Sequence, residues 1–227
     1  MVVIIPAASG GRRMRSYGPK SLLALGDGRT VLRRQIDLSR AAFPGSDVCV
    51  VVGYESERVI RSLPAGVRSV ENELYDDTSV VRSILLALRA STASRALIVY
   101  GDLVFDPTLL GGLSQLAPEE SAAIIDNRGK LPKHEIGATI DKATGRVAHF
   151  NFGLPNKWCH IALLAGRELS LFRSIAARTD RQNLLAWEVL NEVLERGGEL
   201  SAIDSNGSPS LIIDTSKDIE RAREMTR

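Results

Sequence analysis

The sequence predicts an α/β fold with a mostly parallel sheet, helices on both faces and an antiparallel extension in the second half. Two observations support this prediction. In the first half, short apolar runs alternate with longer helical patterns, which is typical of right-handed βαβ units. In the second half, three strand-like segments follow one another almost directly, which favours antiparallel pairing. We predict one domain over residues 1–227, made of a first half, 1–126, and a second half, 127–227.

The strands of the first half are predicted from continuous apolar runs. They are Val2–Ile5, Val48–Val52, Leu97–Tyr100 and Ala122–Ile125. Runs of this length without alternation are typical of strands that are buried on both faces of a parallel sheet. Cys49 lies inside one run and far along the chain from Cys159, so we predict a buried thiol at Cys49 and no disulfide framework.

Helices are predicted between these strands. They cover Thr30–Phe43, Glu55–Leu63 and Thr78–Arg89. In the third of them, Val81, Leu85 and Leu88 fall on one stripe at helical spacing. Pro64 and Gly66 end the second.

The second half is predicted to hold three strands, two helices, and a final strand and helix. The strands are Ile136–Ile140, Arg146–Phe152 and His160–Ala165, and the later elements are helices near Glu168–Ala177 and Asn183–Arg196, the strand Leu211–Ile213 and a helix from Ser216. A turn is predicted at Lys142–Gly145. Thr215 and Asp218 have the spacing of a capping box, which marks the start of the last helix.

Composition and charge narrow the function classes. The net charge is only +2 and the hydrophobic fraction is 44%, which indicates a globular protein and argues against a dedicated nucleic-acid binder. Basic residues are nevertheless crowded near the start of the chain, a distribution that suits a small anionic ligand. No apolar run is long enough to span a bilayer and no signal peptide is visible, so we expect a cytoplasmic protein without a membrane partner.

A loop rich in small and basic residues follows the first strand. It runs from Pro6 to Met14, and Pro19-Lys20 comes shortly after it. Small residues let backbone N–H groups approach phosphate oxygens, while Arg and Lys supply positive charge. Ligands of parallel sheets bind at the carboxyl ends of the strands, so the loop is predicted to bind phosphate groups. The spacing is neither that of a Walker A loop nor that of the dinucleotide fingerprint, and a glycine-rich turn with solvated arginines is the alternative.

The loop resembles the signature of the GT-A-like nucleotidyltransferases. This family includes sugar-phosphate nucleotidylyltransferases, molybdenum-cofactor cytidylyltransferases and phosphocholine cytidylyltransferases. Residues Ala7–Met14 and Pro19–Leu22 match its pattern A-A-G-x-G-x-R-M followed by P-K-x-L, with Ser9 in place of the first glycine. The resemblance implies a Rossmann-like, GT-A-like fold whose first half binds a nucleoside triphosphate and whose second half binds an acceptor.

The same resemblance assigns the phosphate-binding residues. The triphosphate would be held by Ala7, Ala8, Ser9, Gly10, Gly11, Arg12 and Arg13. Arg13 would bind the β- and γ-phosphates, and Lys20 would bind the α-phosphate and the incoming acceptor. These two cations, together with Asp102, are the expected catalytic residues.

A catalytic Mg²⁺ is expected beside the loop. The apolar run that begins at Leu97 ends in Gly101-Asp102, and a carboxylate at the carboxyl end of a strand is well placed for a hard cation. The matching aspartate binds metal in the family, although Asp102 could instead cap the following turn. Glu188 and Asp214 are both candidates for the second metal ligand, with Glu188 slightly preferred, and Asp214 could instead be only a helix cap before Ser216.

A polar segment before the third predicted helix resembles the base-binding segment of the phosphocholine-type relatives. It contains Tyr75, Thr78 and Ser79, and Ser83 follows on the helix. Polar side chains at the start of a helix can hydrogen-bond the edge of a base. They can equally cap the helix, and capping is the more frequent use of Thr78 or Ser79 taken singly.

The acceptor is expected to bind in the second half of the chain. Trp158 and Trp187 stand out in a chain that is only 5% aromatic, and two indoles could form a cage for a choline-like cation. The alternative is that both are ordinary core aromatics.

Taken together, these features predict an Mg²⁺-dependent nucleotidyltransferase. It would move a nucleoside monophosphate, expected to be CMP, from a nucleoside triphosphate to a phosphocholine-, phosphonate- or sugar-phosphate-like acceptor and release pyrophosphate. Positioning and electrostatics would supply the catalysis.

Three alternatives share parts of these patterns. They are a GT-A glycosyltransferase, a molybdenum-cofactor enzyme with a different acceptor, and an inactive regulatory domain that binds nucleotide. A glycosyltransferase is expected to carry an Asp-x-Asp motif after the central strand, where this chain has Gly101-Asp102-Leu103-Val104. The sequence leaves the base, the acceptor and the oligomeric state open.

Overall fold

The computed structural model describes residues 1–11, 14–128, 135–181 and 183–227. Within these residues the strands form one nine-stranded sheet and one two-stranded ribbon. The strands are β1 (Val2–Pro6), β2 (Asp47–Val52), β3 (Val67–Glu71), β4 (Arg95–Val99), β5 (Leu103–Phe105), β6 (Ala122–Asp126), β7 (Ile136–Asp141), β8 (Arg146–Phe152), β9 (Asn156–Ala165), β10 (Ser201–Asp204) and β11 (Ser210–Ile212).

The helices of the described residues lie mainly between the strands. They are α1 (Val31–Ala42), α2 (Ser56–Ser62), α3 (Val80–Arg89), α4 (Gly111–Ser114), α5 (Gly166–Ala176), α6 (Ala186–Glu195) and α7 (Ser216–Met225). Short 3-10 helices cover Arg15–Tyr17, Lys20–Leu22, Pro107–Leu110 and Thr179–Arg181. No helix in the described part of the chain combines the length and the apolar content that a membrane span needs.

The sheet has a parallel first half and a mixed second half. Its strand order is β3-β2-β1-β4-β9-β6-β10-β8-β7. Strands β3, β2, β1 and β4 are parallel, whereas β9 runs antiparallel to both β4 and β6. The predicted α/β class, with an antiparallel extension in the second half, is therefore confirmed. Because β9 pairs with β4, one sheet runs through both halves of the chain.

Alternation along the strands divides the core into two layers. Val2 and Ile4 of β1 pack on the face covered by α3, α5 and α6, while Val3 and Ile5 pack on the face covered by α1, α2 and α4. All four side chains are fully buried. Burial of one such side chain contributes roughly 1.5–3 kcal/mol, so a central strand of this composition is held firmly from both sides.

Most of the predicted elements are present with small shifts at their ends. Thr30 is the N-cap of α1 and accepts a hydrogen bond from Arg33 N at 3.1 Å. At the start of α7, Thr215 N donates to the Asp218 carboxylate at 2.8 Å, so the predicted capping interaction is confirmed. Both cysteines are free and buried.

Three strands have no counterpart in the sequence prediction. Strands β3 and β10 contain polar residues and are only partly buried, so neither has the continuous apolar pattern of a central strand. Strand β5 has only three residues. Tertiary pairing, rather than local sequence, places all three in the fold.

The fold brings three loops and the last strand to one edge of the sheet. The loops follow β1, β3 and β4, at the carboxyl ends of parallel strands. The β5–β11 ribbon adds a fourth segment: Ile213 N donates a hydrogen bond to Asp102 O at 3.0 Å. Residues from opposite ends of the chain thereby meet beside Asp102.

Candidate active site

A cleft of about 290 Å³ opens at the carboxyl ends of the parallel strands. Ala7, Ala8 and Ser9 line it from the loop after β1, and Asp102 lines it from the loop after β4. The residues expected around the base also line it: Tyr75, Thr78, Ser79 and Ser83. The structure therefore gathers the expected phosphate-binding loop, the expected metal ligand and the expected base segment around one space, which we call the first cleft.

The loop after β1 folds back on itself and on Lys20. Gly11 N donates to Ser9 Oγ at 3.2 Å, so the serine hydroxyl closes the turn. Gly11 has φ of +55°, and a Cβ there would lie 2.5 Å from Lys20 Cε. Glycine meets both requirements without strain, so the lysine side chain can run against the loop. Arg12 and Arg13 lie outside the described residues.

Asn72 organises the far end of the first cleft. Its buried amide donates to Thr78 Oγ1 at 3.2 Å and to Ser83 Oγ at 3.1 Å, and its Oδ1 accepts from Leu74 N at 3.2 Å. Asn72 is not among the residues that the sequence analysis singles out. The signal that could have found it is a lone amide directly after a strand and before a helix N-cap.

Ser79 caps helix α3 and also lines the first cleft. Val81 N donates to Ser79 Oγ at 3.3 Å, at the start of α3. The hydroxyl in turn donates to Leu184 O, which ties this end of the cleft to the segment before α6. Capping and cleft lining are thus compatible at this position.

A charged centre lies at the mouth of the first cleft. Lys20 Nζ is 3.0 Å from Asp102 Oδ2 and 2.7 Å from Asp214 Oδ1. The ammonium thus bridges the loop after β4 and the segment after β11. The Lys20 side chain is only 10% exposed, whereas that of Asp214 is 61% exposed.

At this centre, burial and the neighbouring charges have opposite effects on the pKa values. Burial lowers the pKa of Lys20, but Asp102 and Asp214 together outweigh it, so the pKa lies above its ordinary value and the ammonium stays charged. Burial raises the pKa of Asp102, and the neighbouring Lys20 only partly offsets that rise. A cation beside Asp102 therefore favours the ionised form of its carboxylate.

A second cleft, of about 620 Å³, adjoins the first and shares Tyr100 and Asp102 with it. Two of its cations are paired: Lys157 lies 3.4 Å from Glu135, and Arg221 lies 3.5 Å from Asp218. Asp214 also lines this cleft. The Lys20–Asp102–Asp214 centre therefore stands between two spaces, the second of which is lined by both cations and carboxylates.

His160 lines the second cleft from a strained position. It has φ of 56° where the pairing of β9 with β6 is interrupted, between Ala162 and Trp158. The imidazole packs on the rings of Tyr100 and Trp158, with centroids 5.0 and 4.8 Å away. Its Nδ1 is buried without a hydrogen-bond partner among the described residues. Burial, assisted by Lys157, lowers the pKa of His160 to about 4, so the ring is neutral at pH 7.

Comparison with known proteins shows the same architecture. The inositol-1-phosphate CTP transferase from T. maritima superposes with a TM-score of 0.78 at 18% identity, over 99% of this chain and 94% of that one. CTP:phosphocholine cytidylyltransferase (LicC) from Streptococcus pneumoniae gives 0.77 at 18%, over 100% and 99%. A structure assigned as glucose-1-phosphate thymidylyltransferase from Bacillus anthracis gives 0.80 at 16%, over 100% and 96%. The chain shares the fold of these three proteins.

Sequence comparison finds similarity over about half of the chain. The bifunctional protein GlmU of Neisseria meningitidis serogroup A is 36% identical over 126 residues, which is 55% of this chain and 27% of that protein. The chain thus spans about a quarter of the length of this relative. No family model matches the chain. The predicted resemblance to nucleotidyltransferases is confirmed.

The two candidates for the second metal ligand are placed differently in the fold. Glu188 Oε2 accepts from Leu185 N at 2.7 Å and caps α6. Asp214 instead meets Asp102 through the shared Lys20 ammonium. The described residues contain no cluster of three or more His, Cys, Asp or Glu side chains that could hold a metal. Two carboxylates beside a phosphate site are the donor set that Mg²⁺ commonly uses in proteins, so the Asp102–Asp214 pair fits it.

Neither tryptophan lines a cleft, although Trp158 packs behind the wall on Tyr100 and His160. Trp158 is 1% exposed, and its Nε1 donates to Ile161 O at 3.2 Å in the core. Trp187 packs edge-to-face on Phe152, with centroids 5.7 Å apart. Neither indole lines the first or the second cleft. The expected aromatic cage is therefore not part of either cleft wall, and both rings pack against neighbouring aromatic side chains.

Proposed function

We propose that this protein is a nucleotidyltransferase that moves a nucleoside monophosphate from a nucleoside triphosphate to a small phosphorylated acceptor. The observation that carries the proposal is the Lys20–Asp102–Asp214 centre, which stands between the first and second clefts. A reaction that joins two anionic substrates needs positive charge where they meet. It also needs a separate space for each of them.

The nucleotide is assigned to the first cleft. Ala7 and Ala8 leave room for phosphates close to the backbone, and Lys20 supplies an ammonium beside them. By the family resemblance, Arg13 adds charge at the β- and γ-phosphates. The hydroxyls of Thr78 and Ser83, held by Asn72, offer hydrogen bonds to the base.

Asp102 and Asp214 would hold Mg²⁺. When bound, the ion would neutralise negative charge on the phosphate oxygens. The role of the protein is to fix two carboxylates at the junction of the clefts, one at the end of β4 and one after β11. Lys20 stays charged in this environment, so it can stabilise charge that develops on the α-phosphate.

The acceptor is assigned to the second cleft, whose wall carries Lys157 and Arg221. A phosphate monoester is already a nucleophile, so no general base is required. One of its oxygens forms a bond to the α-phosphorus. The bond from that phosphorus to the bridging oxygen of the β-phosphate breaks, and pyrophosphate leaves with the electron pair. The atoms and charges balance without proton transfer.

We further propose CMP as the transferred group and a phosphocholine-, phosphonate- or sugar-phosphate-like acceptor. Two of the similar structures support this choice, since their names describe transferases that use CTP. Two buried free thiols, Cys49 and Cys159, are in keeping with the reducing cytoplasm, where we place the enzyme.

A screen for pyrophosphate release tests the proposal. Each of CTP, UTP, TTP, GTP and ATP is combined with phosphocholine, aminoethylphosphonate, inositol 1-phosphate and sugar 1-phosphates in the presence of Mg²⁺. Release that requires both a triphosphate and an acceptor is the expected result. Nucleotide binding without release in any combination would favour the inactive regulatory domain. Turnover of a nucleotide sugar in place of a triphosphate would favour the glycosyltransferase.

A further inference from the structure

The Lys20 ammonium occupies the place between the two carboxylates that a shared metal ion would take. Its Nζ is 3.0 Å from Asp102 Oδ2 and 2.7 Å from Asp214 Oδ1. Mg²⁺ bound by the same two oxygens would lie about 2.0–2.1 Å from each. The ammonium and the metal ion therefore compete for one position.

The competition is strong because Lys20 is well anchored. It is 10% exposed and makes a charge-assisted hydrogen bond to each carboxylate. A divalent ion must displace a charged side chain that already offsets part of the negative charge of the two carboxylates.

The loop after β1 gives Lys20 an alternative partner. The lysine side chain runs along Gly11, where a Cβ would come within 2.5 Å of Lys20 Cε. Under the proposed function, this loop is where the triphosphate binds, so a bound nucleotide places phosphate oxygens beside the same side chain. The phosphates can then take over the ammonium and leave both carboxylates free.

We propose that Lys20 is an internal cation that keeps the metal site closed until a nucleoside triphosphate binds. This inference rests on the proposed function for the identity of the nucleotide. Its consequence is positive coupling: the triphosphate raises the affinity of the protein for the metal ion, and the metal ion raises the affinity for the triphosphate by the same factor.

Metal binding to the full chain without an acceptor tests this proposal independently of turnover. Mn²⁺ binding is followed by electron paramagnetic resonance in the wild type, in Lys20→Met and in Lys217→Met. Methionine has a similar length and no charge. Lys217 is exposed on α7, three residues from Asp214, so its variant removes the same charge nearby without touching the carboxylates. Thermal unfolding is measured for each variant.

Without nucleotide, Lys20→Met is expected to bind Mn²⁺ about tenfold more tightly than either the wild type or Lys217→Met. Equal affinities in Lys20→Met and the wild type, with both proteins folded, would overturn the proposal. An equal increase in Mn²⁺ affinity in Lys217→Met would also overturn it, because the loss of one positive charge near the site would then explain the effect.

A second measurement uses only the wild type, so it does not depend on a variant that folds. Mn²⁺ binding is compared with and without a non-hydrolysable CTP analogue, after correction for the affinity of the analogue itself. An increase of about tenfold is expected. Mn²⁺ binding that is unchanged by the analogue, in a protein that binds the analogue, contradicts the closed site. If the analogue raises the Mn²⁺ affinity but the protein releases no pyrophosphate in the screen, the proposed reaction is contradicted and the closed metal site is not.

Discussion

Asn72 donates a hydrogen bond to Ser83 Oγ at 3.1 Å and thereby joins the loop after β3 to helix α3 below the first cleft. The asparagine is 2% exposed, and the same amide also reaches Thr78. A buried amide that holds two hydroxyls at once fixes the end of the cleft where the base is proposed to lie.

Asn72→Ala is predicted to weaken both the fold and nucleotide binding. The substitution leaves buried polar groups without partners, which costs about 1–3 kcal/mol. Chemical unfolding and nucleotide affinity measure the two effects. Ser83→Ala, which removes one acceptor and leaves the Asn72–Thr78 bond in place, should cost less. An Asn72→Ala protein with wild-type affinity would remove Asn72 from the proposed base site.

Asp214→Asn and Glu188→Gln are predicted to have opposite effects. Asp214→Asn removes one of two proposed metal carboxylates, so metal-dependent turnover should fall by a factor on the order of a hundred with little change in stability. Glu188→Gln weakens the cap of α6, so it should cost about 1 kcal/mol in stability and leave turnover near the wild type. Steady-state kinetics over a Mg²⁺ series, with thermal unfolding, measures both. The reverse pattern would make Glu188 the ligand.

Gly101→Ala is predicted to destabilise the fold at the ends of β1 and β4, beside the first cleft. A Cβ at this position would lie 2.5 Å from Pro6 O and 2.9 Å from Ala7 Cα, so the ends of β1 and β4 must move apart. Overpacking of this kind costs roughly 1–3 kcal/mol. Gly111→Ala is the control, since a Cβ there meets nothing within 4 Å. Equal stabilities for the two variants, measured by denaturant unfolding, would rule out the close packing of these strand ends.

His160 is predicted to make the protein acid-sensitive. Its pKa is lowered from 6.5 to about 4 in the folded protein, because burial disfavours the charged ring. The unfolded chain therefore binds the proton first as the pH falls. The contribution of His160 to the free energy of unfolding is complete above pH 6.5. It declines by roughly 1.4 kcal/mol per pH unit as the pH falls from 6.5 to about 4.

His160→Asn isolates this effect, since asparagine tolerates a positive φ and does not titrate in this range. The free energy of unfolding of the variant should depend less on pH between 6.5 and 4 than that of the wild type. Parallel curves for the two proteins would show that His160 is not buried as a neutral ring.

Local sequence was sufficient to predict an element where one physical signal dominates. Continuous apolar runs identified β1 and β2, and helical periodicity identified α3, because burial on both faces or on one stripe leaves a plain pattern. The loop after β1 was found from its small and basic residues. Asp102 was found because it ends a buried strand.

Other features depend on contacts between distant segments. Asp214 reaches Asp102 only because β11 pairs with β5, and a three-residue strand gives no local signal. Glu188 looked equally suitable as a ligand, yet its carboxylate is used by the helix it begins. Trp158 looked available as an aromatic, but whether it faces a cleft or the core is set by the irregular pairing of β9.

The most direct test of nucleotidyl transfer is to follow the α- and γ-phosphorus of the triphosphate separately. CTP labelled at either position is incubated with Mg²⁺ and the acceptor that performs best in the screen. The account predicts that the α-label appears in a product joined to the acceptor and that the γ-label appears in pyrophosphate. Transfer of the γ-label to the acceptor, with the α-label left in CDP, would contradict the account, because the protein would then be a kinase.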